Sequence, residues 1–487
     1  MPVGVFLLIA ATPIRRFPSV AVLAACGALA FCSISAAFAE EGLKIQYHGA
    51  GWVQGGRIER QTDTLSDQGG QNFNDNWTQN SGGQITAVAD LGGGWEGGLG
   101  LGAIQSPLWY RGSRRFDKVP PLTWSPYVTE ARLTYTVGDY AHPALQVTAG
   151  SFHFNYNPDV KNLGLYLMRG LVYPGIVVSG FETKDVLPIA NVFGLDVRHE
   201  YGGYRGDFLV NSETDINPYF DLSFAYVFSY RFLGAIEVGA GANWYRAVAQ
   251  KPEITSPTKD CASKGTTSVV GVNGGDAELC YILDTSYVAG PAGADSAVVD
   301  TITGSLSGIK LMGRMSVDPK VLFGIGGPFG PKDLIVYTEA AVLGLKDYPK
   351  YYAEIGRRIP VMVGINLPAF GFLDELSLEA EYYANRNMAD YQKELDDNSW
   401  VPRPRAYNNV TFDSTGVRNG FTRTDTRSDN WKWSLYGDKV IAGHLKLSAQ
   451  VANDHLRTGG FYLRRSQTEV LSDTFDWYWT FKVAYYF

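Results

Sequence analysis

The carboxyl-terminal segment 475–487 alternates strictly. Phe475, Trp477, Trp479, Phe481, Val483, Tyr485 and Phe487 hold the odd positions, while Asp476, Thr480 and Lys482 fall among the even ones. Successive side chains of a strand point to opposite faces, so this pattern predicts a strand with one apolar and one wet face. The alternation recurs in 220–226, 376–382 and 445–451, where charged or small polar residues separate apolar ones. Extended along the chain, it predicts strands near 43–54, 84–91, 95–104, 127–138, 144–155, 190–199, 204–212, 219–231, 235–248, 307–317, 333–344, 359–368, 374–385, 430–438, 443–455 and 475–487. That count is sixteen, with fourteen and eighteen as alternatives.

The gaps between these strands differ by parity. Those after odd-numbered strands are mostly long and polar (55–83, 105–126, 156–189, 249–306, 345–358, 386–429, 456–474), and those after even-numbered strands are mostly short, as at Gly92-Gly93-Gly94. Two gaps run against the rule: 213–218 is short for its class, and 318–332 is long. Segment 175–183 is also strand-like and would upset the parity if it paired. Short turns at one end, long loops at the other and an even strand count describe a closed antiparallel β-barrel that crosses a membrane. Closure is required because backbone groups facing hydrocarbon must all be paired. Past the amino-terminal region no run reaches the roughly 18 apolar residues of a spanning helix, so any crossing is made by strands.

A barrel of this size leaves an aqueous interior. The inward positions carry both signs. Candidates for the lumen wall are Glu130, Arg132, Arg198, Arg314, Glu339, Glu379 and Glu381, with Arg205, Asp207, Arg231, Glu237 and Lys482 on the same face. Charges at membrane depth need water or partners, so the set implies a polar passage whose mixed signs favour neither anions nor cations. Segment 156–189 interrupts its polar residues with Leu163, Leu165, Tyr166, Leu167 and Met168 at helical spacing, a composition with little use on a solvated surface. It is expected to fold inward, as a constriction with Asp159, Lys161 and Arg169 as selectivity candidates, or equally as a brace or plug of the wall.

Composition changes the picture at the amino terminus. Arg15 and Arg16, the apolar run 17–31 and Ala37-Phe38-Ala39 before Glu40 and Glu41 have the layout of a cleavable secretory signal. The expected division is a signal peptide at 1–39 and a barrel at 40–487; a lipoprotein signal ending at Cys26 is the competing reading. The formal charge of −7 becomes more acidic once Arg15 and Arg16 are removed, which excludes nucleic acid as an expected partner. Cys261 and Cys280 share one polar loop, and in an oxidising compartment they are expected to form a disulfide; zinc ligation is the alternative.

The alternating ending that closes on the aromatic Phe487 resembles the Gram-negative outer-membrane β-barrel superfamily, general porins among them. The resemblance implies residence in the outer membrane, contact with its lipids and lipopolysaccharide, and an assembly signal in Phe481, Val483, Tyr485 and Phe487 read by the barrel assembly machinery. In general porins the third outer loop folds inward, and parity makes 156–189 that loop; such porins often form homotrimers. Blocks 151–175 and 359–383 are similar to uncharacterised porin-like proteins of fibre-degrading bacteria. The implied function is passive diffusion of small hydrophilic solutes or ions. The alternatives are a surface barrel displaying loops 249–306 and 386–429 as an adhesin or polymer binder, and a barrel-borne hydrolase. No enzymatic signature, cofactor motif or metal site is expected. The six histidines are scattered singly, the glycine runs 92–102 and 324–330 lack a phosphate-loop ending, and Asp396, Asp397 and Asn398 read as a solvated acidic loop rather than a Ca²⁺ site.

Overall fold

The computed structural model describes residues 44–62, 74–105, 108–110, 124–169, 191–214, 219–250, 307–346, 355–383, 430–456, 471 and 473–487, together with short paired pieces at 254–255, 285–288, 296–299, 303–304, 410–412 and 418–421. The expected signal peptide, the Cys261–Cys280 pair and segment 175–183 lie outside the described residues.

Sixteen strands make one ring: β1 Lys44–Arg60, β2 Trp77–Gly92, β3 Trp95–Gln105, β4 Trp124–Gly138, β5 Pro143–His153, β6 Asn191–Tyr201, β7 Tyr204–Ser212, β8 Leu222–Phe232, β9 Ile236–Val248, β10 Gly308–Val317, β11 Val336–Val342, β12 Pro360–Asn366, β13 Glu375–Tyr383, β14 Trp431–Ile441, β15 Leu445–Asn453 and β16 Trp477–Tyr486. Each pairs antiparallel with its sequence neighbours, and a short strand, Leu108–Tyr110, extends the sheet beside β2. The ring closes between β1 and β16, where Ala50 faces Tyr486 and Val53 faces Val483. The Gly49 amide donates to the Phe487 carbonyl at 3.0 Å, and the Phe487 amide donates back at 3.1 Å. Among the described residues, the sixteen strands of the ring leave no edge open along their paired length, which removes the usual aggregation hazard of an open sheet.

The two faces of this sheet are inverted relative to a water-soluble domain. On β10, Lys310, Met312 and Arg314 are buried while Ile309, Leu311 and Met315 are exposed; on β13, Glu375, Ser377, Glu379 and Glu381 are buried while Leu378 and Tyr382 are exposed. Val53, Ile85, Leu99, Val128, Phe208, Val363, Leu435 and Phe481 continue the exposed apolar surface around the ring. Each such side chain left in water would forgo about 1.5–3 kcal/mol, so the outer surface is built for hydrocarbon. Trp77, Trp124, Trp244 and Trp431 are exposed near the long-loop ends of their strands, and Trp95, Tyr140, Tyr201, Tyr230 and Tyr485 near the short-turn ends. Two aromatic girdles bounding an apolar band are the mark of a transmembrane barrel.

The two gaps that disagreed with the parity rule have local explanations. In the 318–335 turn a five-residue helix, α1 (Pro319–Phe323), starts with Asp318 accepting from the Lys320 amide at 2.9 Å and ends at Gly324 in the left-handed region (φ 63°). The turn is long because it contains a capped element. At the other end, the residues flanking the short 213–218 gap are tied to each other, the Glu213 amide donating to the Asp221 carbonyl at 2.9 Å and the Phe220 amide to that of Glu213 at 2.7 Å. Neither gap changes the strand count.

Candidate functional site

The chain leaving β5 at His153 turns into the barrel. β5 and β13 are eight places apart in a ring of sixteen, so they face each other across the lumen. Residues 156–167 reach that far wall and are held there by carboxylates. Glu379 on β13 accepts three successive backbone amides, from Lys161 at 2.6 Å, Asn162 at 2.8 Å and Leu163 at 2.7 Å, and a fourth hydrogen bond from the Tyr337 hydroxyl at 3.0 Å. Glu339 on β11 accepts from the Tyr156 hydroxyl, the Asn157 side-chain amide and the Tyr166 backbone amide, each at 2.7 Å. Glu381 is 2.6 Å from both the Tyr166 hydroxyl and His455 Nε2. Asp454, just past β15, takes the Asn162 side-chain amide at 2.5 Å and the Tyr478 hydroxyl at 2.8 Å. A carboxylate inside a barrel is costly unless its oxygens are filled, and the loop supplies most of the hydrogen bonds here, with Tyr337, His455 and Tyr478 of the wall adding to them.

The apolar side of the loop explains why it enters. Phe154, Val160, Leu163, Leu165 and Leu167 pack into one buried cluster with Leu209, Val227, Met312, Tyr337, Ala341 and Met362 of the wall. Gly164 (φ 88°) and Leu165 (φ 58°) are consecutive left-handed residues that reverse the chain, and a four-residue helix, α2 (Tyr166–Arg169), follows. A Cβ on Gly164 would sit 2.7 Å from Met362 Cε, the movable tip of that side chain, so the left-handed dihedral is the stronger reason for glycine here. The apolar residues at helical spacing thus form a plate lying on the inner face of β7–β12. Lys161 reaches Glu375 at 2.7 Å and the Pro158 carbonyl at 3.2 Å. Asp159 is partly exposed, and the side chain of Arg169 lies outside the described residues.

Charge on the remaining wall is organised in triads near the short-turn ends of the strands. Arg132 bridges Glu96 at 2.6 Å and Glu130 at 3.3 Å. Arg198 and Arg205 share Asp207 at 2.7 and 3.0 Å, with Asp196 3.8 Å from Arg198. Arg231 binds Glu237 at 2.6 Å, and Arg314 binds the other oxygen of the same carboxylate. The last two triads border a cavity of about 640 Å³ that runs from the turns at 141–142 and 202–204 up to Tyr156 and Pro158 on the underside of the inward loop.

Glu130, Arg132, Arg198 and Arg314 therefore line the inner end of the lumen, whereas Glu339, Glu379 and Glu381 stand under the loop and hold it. Sequence reasoning did not single out Asn157, Asn162, Asp454 or the His455–Glu381 contact. The only local signal was an amide-rich stretch beside the apolar plate and an acidic-basic pair directly after a strand. Among the described residues no cluster of metal-ligating side chains occurs.

No protein-family model matches the chain, and no curated protein matches it in sequence. Among solved structures, the chain is similar to a mutant of Rh. blastica porin, with 8% identity over 92% of this chain and 100% of that one and a TM-score of 0.40. It is likewise similar to a loop-deletion mutant of OmpT, an outer membrane protein of Vibrio cholerae, with 10% identity over 92% and 100% of the two chains and a TM-score of 0.40.

Proposed function

We propose that the protein is a porin-like channel of the Gram-negative outer membrane, exported through the 1–39 signal and passing small hydrophilic solutes or ions by diffusion. The observation that supports this reading is a closed lumen crossed by the loop from β5 to the carboxylates of β13, with a charged cavity of about 640 Å³ beneath it. A closed wall with apolar residues outside and ion pairs inside has a use for water in its interior. The inward loop would then act as the constriction, with Asp159 and Lys161 at its rim. Lipopolysaccharide contact at the tryptophan girdle, assembly through Phe481, Val483, Tyr485 and Phe487, and trimer formation belong to the same proposal.

A second reading, a plugged barrel that displays its long loops, is favoured by the burial of Lys432, Ser448, Gln450 and Lys482 on the β14–β16 wall. Planar bilayers separate the two. Stepwise ohmic conductance on insertion of the purified protein is expected of the channel; folded protein that inserts and carries no current would establish the display barrel instead.

A further inference from the structure

The cavity below the inward loop has an imbalance of hydrogen-bonding groups that the count of charges hides. Its wall carries Arg205, Arg231 and Arg314 against Glu200, Asp207 and Glu237. By sign alone the site is neutral. Most of its acceptors, however, are already used: both oxygens of Asp207 are taken, by Arg198 at 2.7 Å and Arg205 at 3.0 Å, and both oxygens of Glu237 by Arg231 and Arg314, while Glu200 at the turn end has His142 Nδ1 at 3.4 Å. Its donors are not. A guanidinium offers five N–H groups. Arg205 uses Nε alone, Arg231 directs Nε and Nη2 to a single oxygen, and Arg314 uses Nη2.

Arg314 makes the point most sharply. Its side chain is only 4% exposed, and its Nε–H is buried with no acceptor among the described residues. A buried donor without a partner is costly, so one is kept where a ligand can supply the acceptor. Gly239 gives the Arg314 side chain its place against the wall: a Cβ at that position would stand 2.9 Å from Arg314 Nε. Arg231, whose side chain is 61% exposed, presents its remaining donors from β8, two strands away from Arg314 on β10. Planar guanidinium forks of this kind match carboxylate and phosphate oxygens.

The geometry points to a binding site for a small organic anion, a carboxylate- or phosphate-bearing solute, at the short-turn mouth of the barrel, held by Arg231 and Arg314 with Arg205 as the third donor. A solute that passes the loop would pause there before release, so the site makes the channel selective for anions of this class at its inner end. This inference rests on the channel reading for its role in transport, but not for its existence.

The test uses the purified full-length mature barrel in planar bilayers, with inorganic phosphate, glutarate or glucose added to the short-turn side at constant ionic strength. Phosphate or glutarate is expected to depress the current in a saturable manner, and whichever binds more tightly identifies the anion class. Glucose should give no saturable effect. Arg231→Gln and Arg314→Gln should each weaken the anion effect about tenfold, corresponding to the loss of one charge-assisted interaction. Lys439→Gln, which removes the same charge from a distant part of the same short-turn rim where Lys439 pairs with Asp374, should leave it unchanged. Equal depression by anion and sugar, or equal weakening in all three variants, overturns the site. Should the folded barrel not conduct, the channel reading fails, and titration calorimetry in detergent decides the site separately: phosphate or glutarate heat lost in Arg231→Gln upholds it, and absence of heat in the wild type removes it.

Discussion

The wall from β7 to β13 and the wall from β14 round to β5 enclose one lumen, yet they are finished differently. On the first, Leu209, Val227, Met312 and Met362 meet the apolar plate of the inward loop, and Glu339, Glu379 and Glu381 accept its amides and hydroxyls. On the second, polar side chains satisfy one another across neighbouring strands, as in Ser81 with Gln105, Thr134 with Thr148, Ser434 with Gln450 and Lys446 with Asp438. The first wall depends on the loop for most of the hydrogen bonds to Glu339 and Glu379, whereas the second makes most of its side-chain pairs between neighbouring strands. The contrast makes the loop a structural part of the first wall and leaves the second largely self-satisfied.

The largest effect that could break this contrast comes from Glu379→Ala. Three loop amides and the Tyr337 hydroxyl would lose their shared acceptor, a cost of about 3 kcal/mol or more for charge-assisted bonds in a buried site. Release of the loop from β13 is expected to raise single-channel conductance severalfold and to lower the denaturant midpoint of the barrel. If the variant conducts like the wild type with its midpoint unmoved, the loop is not held as described.

Gly164→Val attacks the same half through the backbone. The left-handed dihedral costs about 1–2 kcal/mol for a residue with a side chain, and the added carbons would press on Met362. A smaller rise in conductance, with greater current noise as the loop leaves its seat part of the time, is the expected reading. Gly164→Ala should fall between wild type and valine; a valine variant quieter than alanine would contradict the packing argument.

How far the molecule was legible beforehand follows from which interactions are local. The alternation at 475–487 and 376–382 is read directly by the pleat, so strand number, faces and closure were available from the sequence. Glu379 and Glu381 could be placed on the inner face by the same alternation. What covers them could not, because the amide of Leu163 lies 216 positions earlier in the chain. Periodicity says which way a side chain points and nothing about its partner. The short helix was signalled by Leu163 to Met168, but it occupies only Tyr166–Arg169, since Gly164 and Leu165 are spent on the reversal. The capped helix in the 318–335 turn escaped because its glycines read as turn chemistry, although the Asp318-Pro319 start was a cap signal in plain sight.

On the self-satisfied side the expected effects are electrical rather than structural. Arg132 lies between Glu96 and Glu130 on the wall away from the loop. Arg132→Gln leaves two carboxylates facing the lumen, so the reversal potential in a salt gradient should move toward cation preference, with conductance changed by less than a factor of two. Partly exposed ion pairs contribute about 0–1 kcal/mol, so the unfolding midpoint should hardly move. A conductance change as large as that of Glu379→Ala would mean that this wall, too, supports the constriction.

The smallest effect is a pH dependence at the outer mouth. Lys346 follows β11 in a long loop, donates to the Ser307 carbonyl at 3.0 Å, and is pushed down to about 8 by burial, away from the ordinary lysine value of 10.5. Its folded form releases a proton more readily than the unfolded chain, so between pH 8 and 10.5 the unfolded state binds more protons and this group's contribution to stability rises with pH. For conduction the sign is separate. The ammonium is mostly charged at pH 7 and mostly neutral at pH 9, so raising the pH removes a positive charge from the entrance and shifts selectivity toward cations. Because the group stands at the mouth, where salt screens it, a shift of a few millivolts in reversal potential is all that is expected. Lys346→Gln should abolish that shift while retaining the much larger response to Arg132→Gln. An unaltered pH response in Lys346→Gln would move its origin elsewhere, and the difference between the two walls would then have to be judged on the loop and the Glu96–Arg132–Glu130 triad alone.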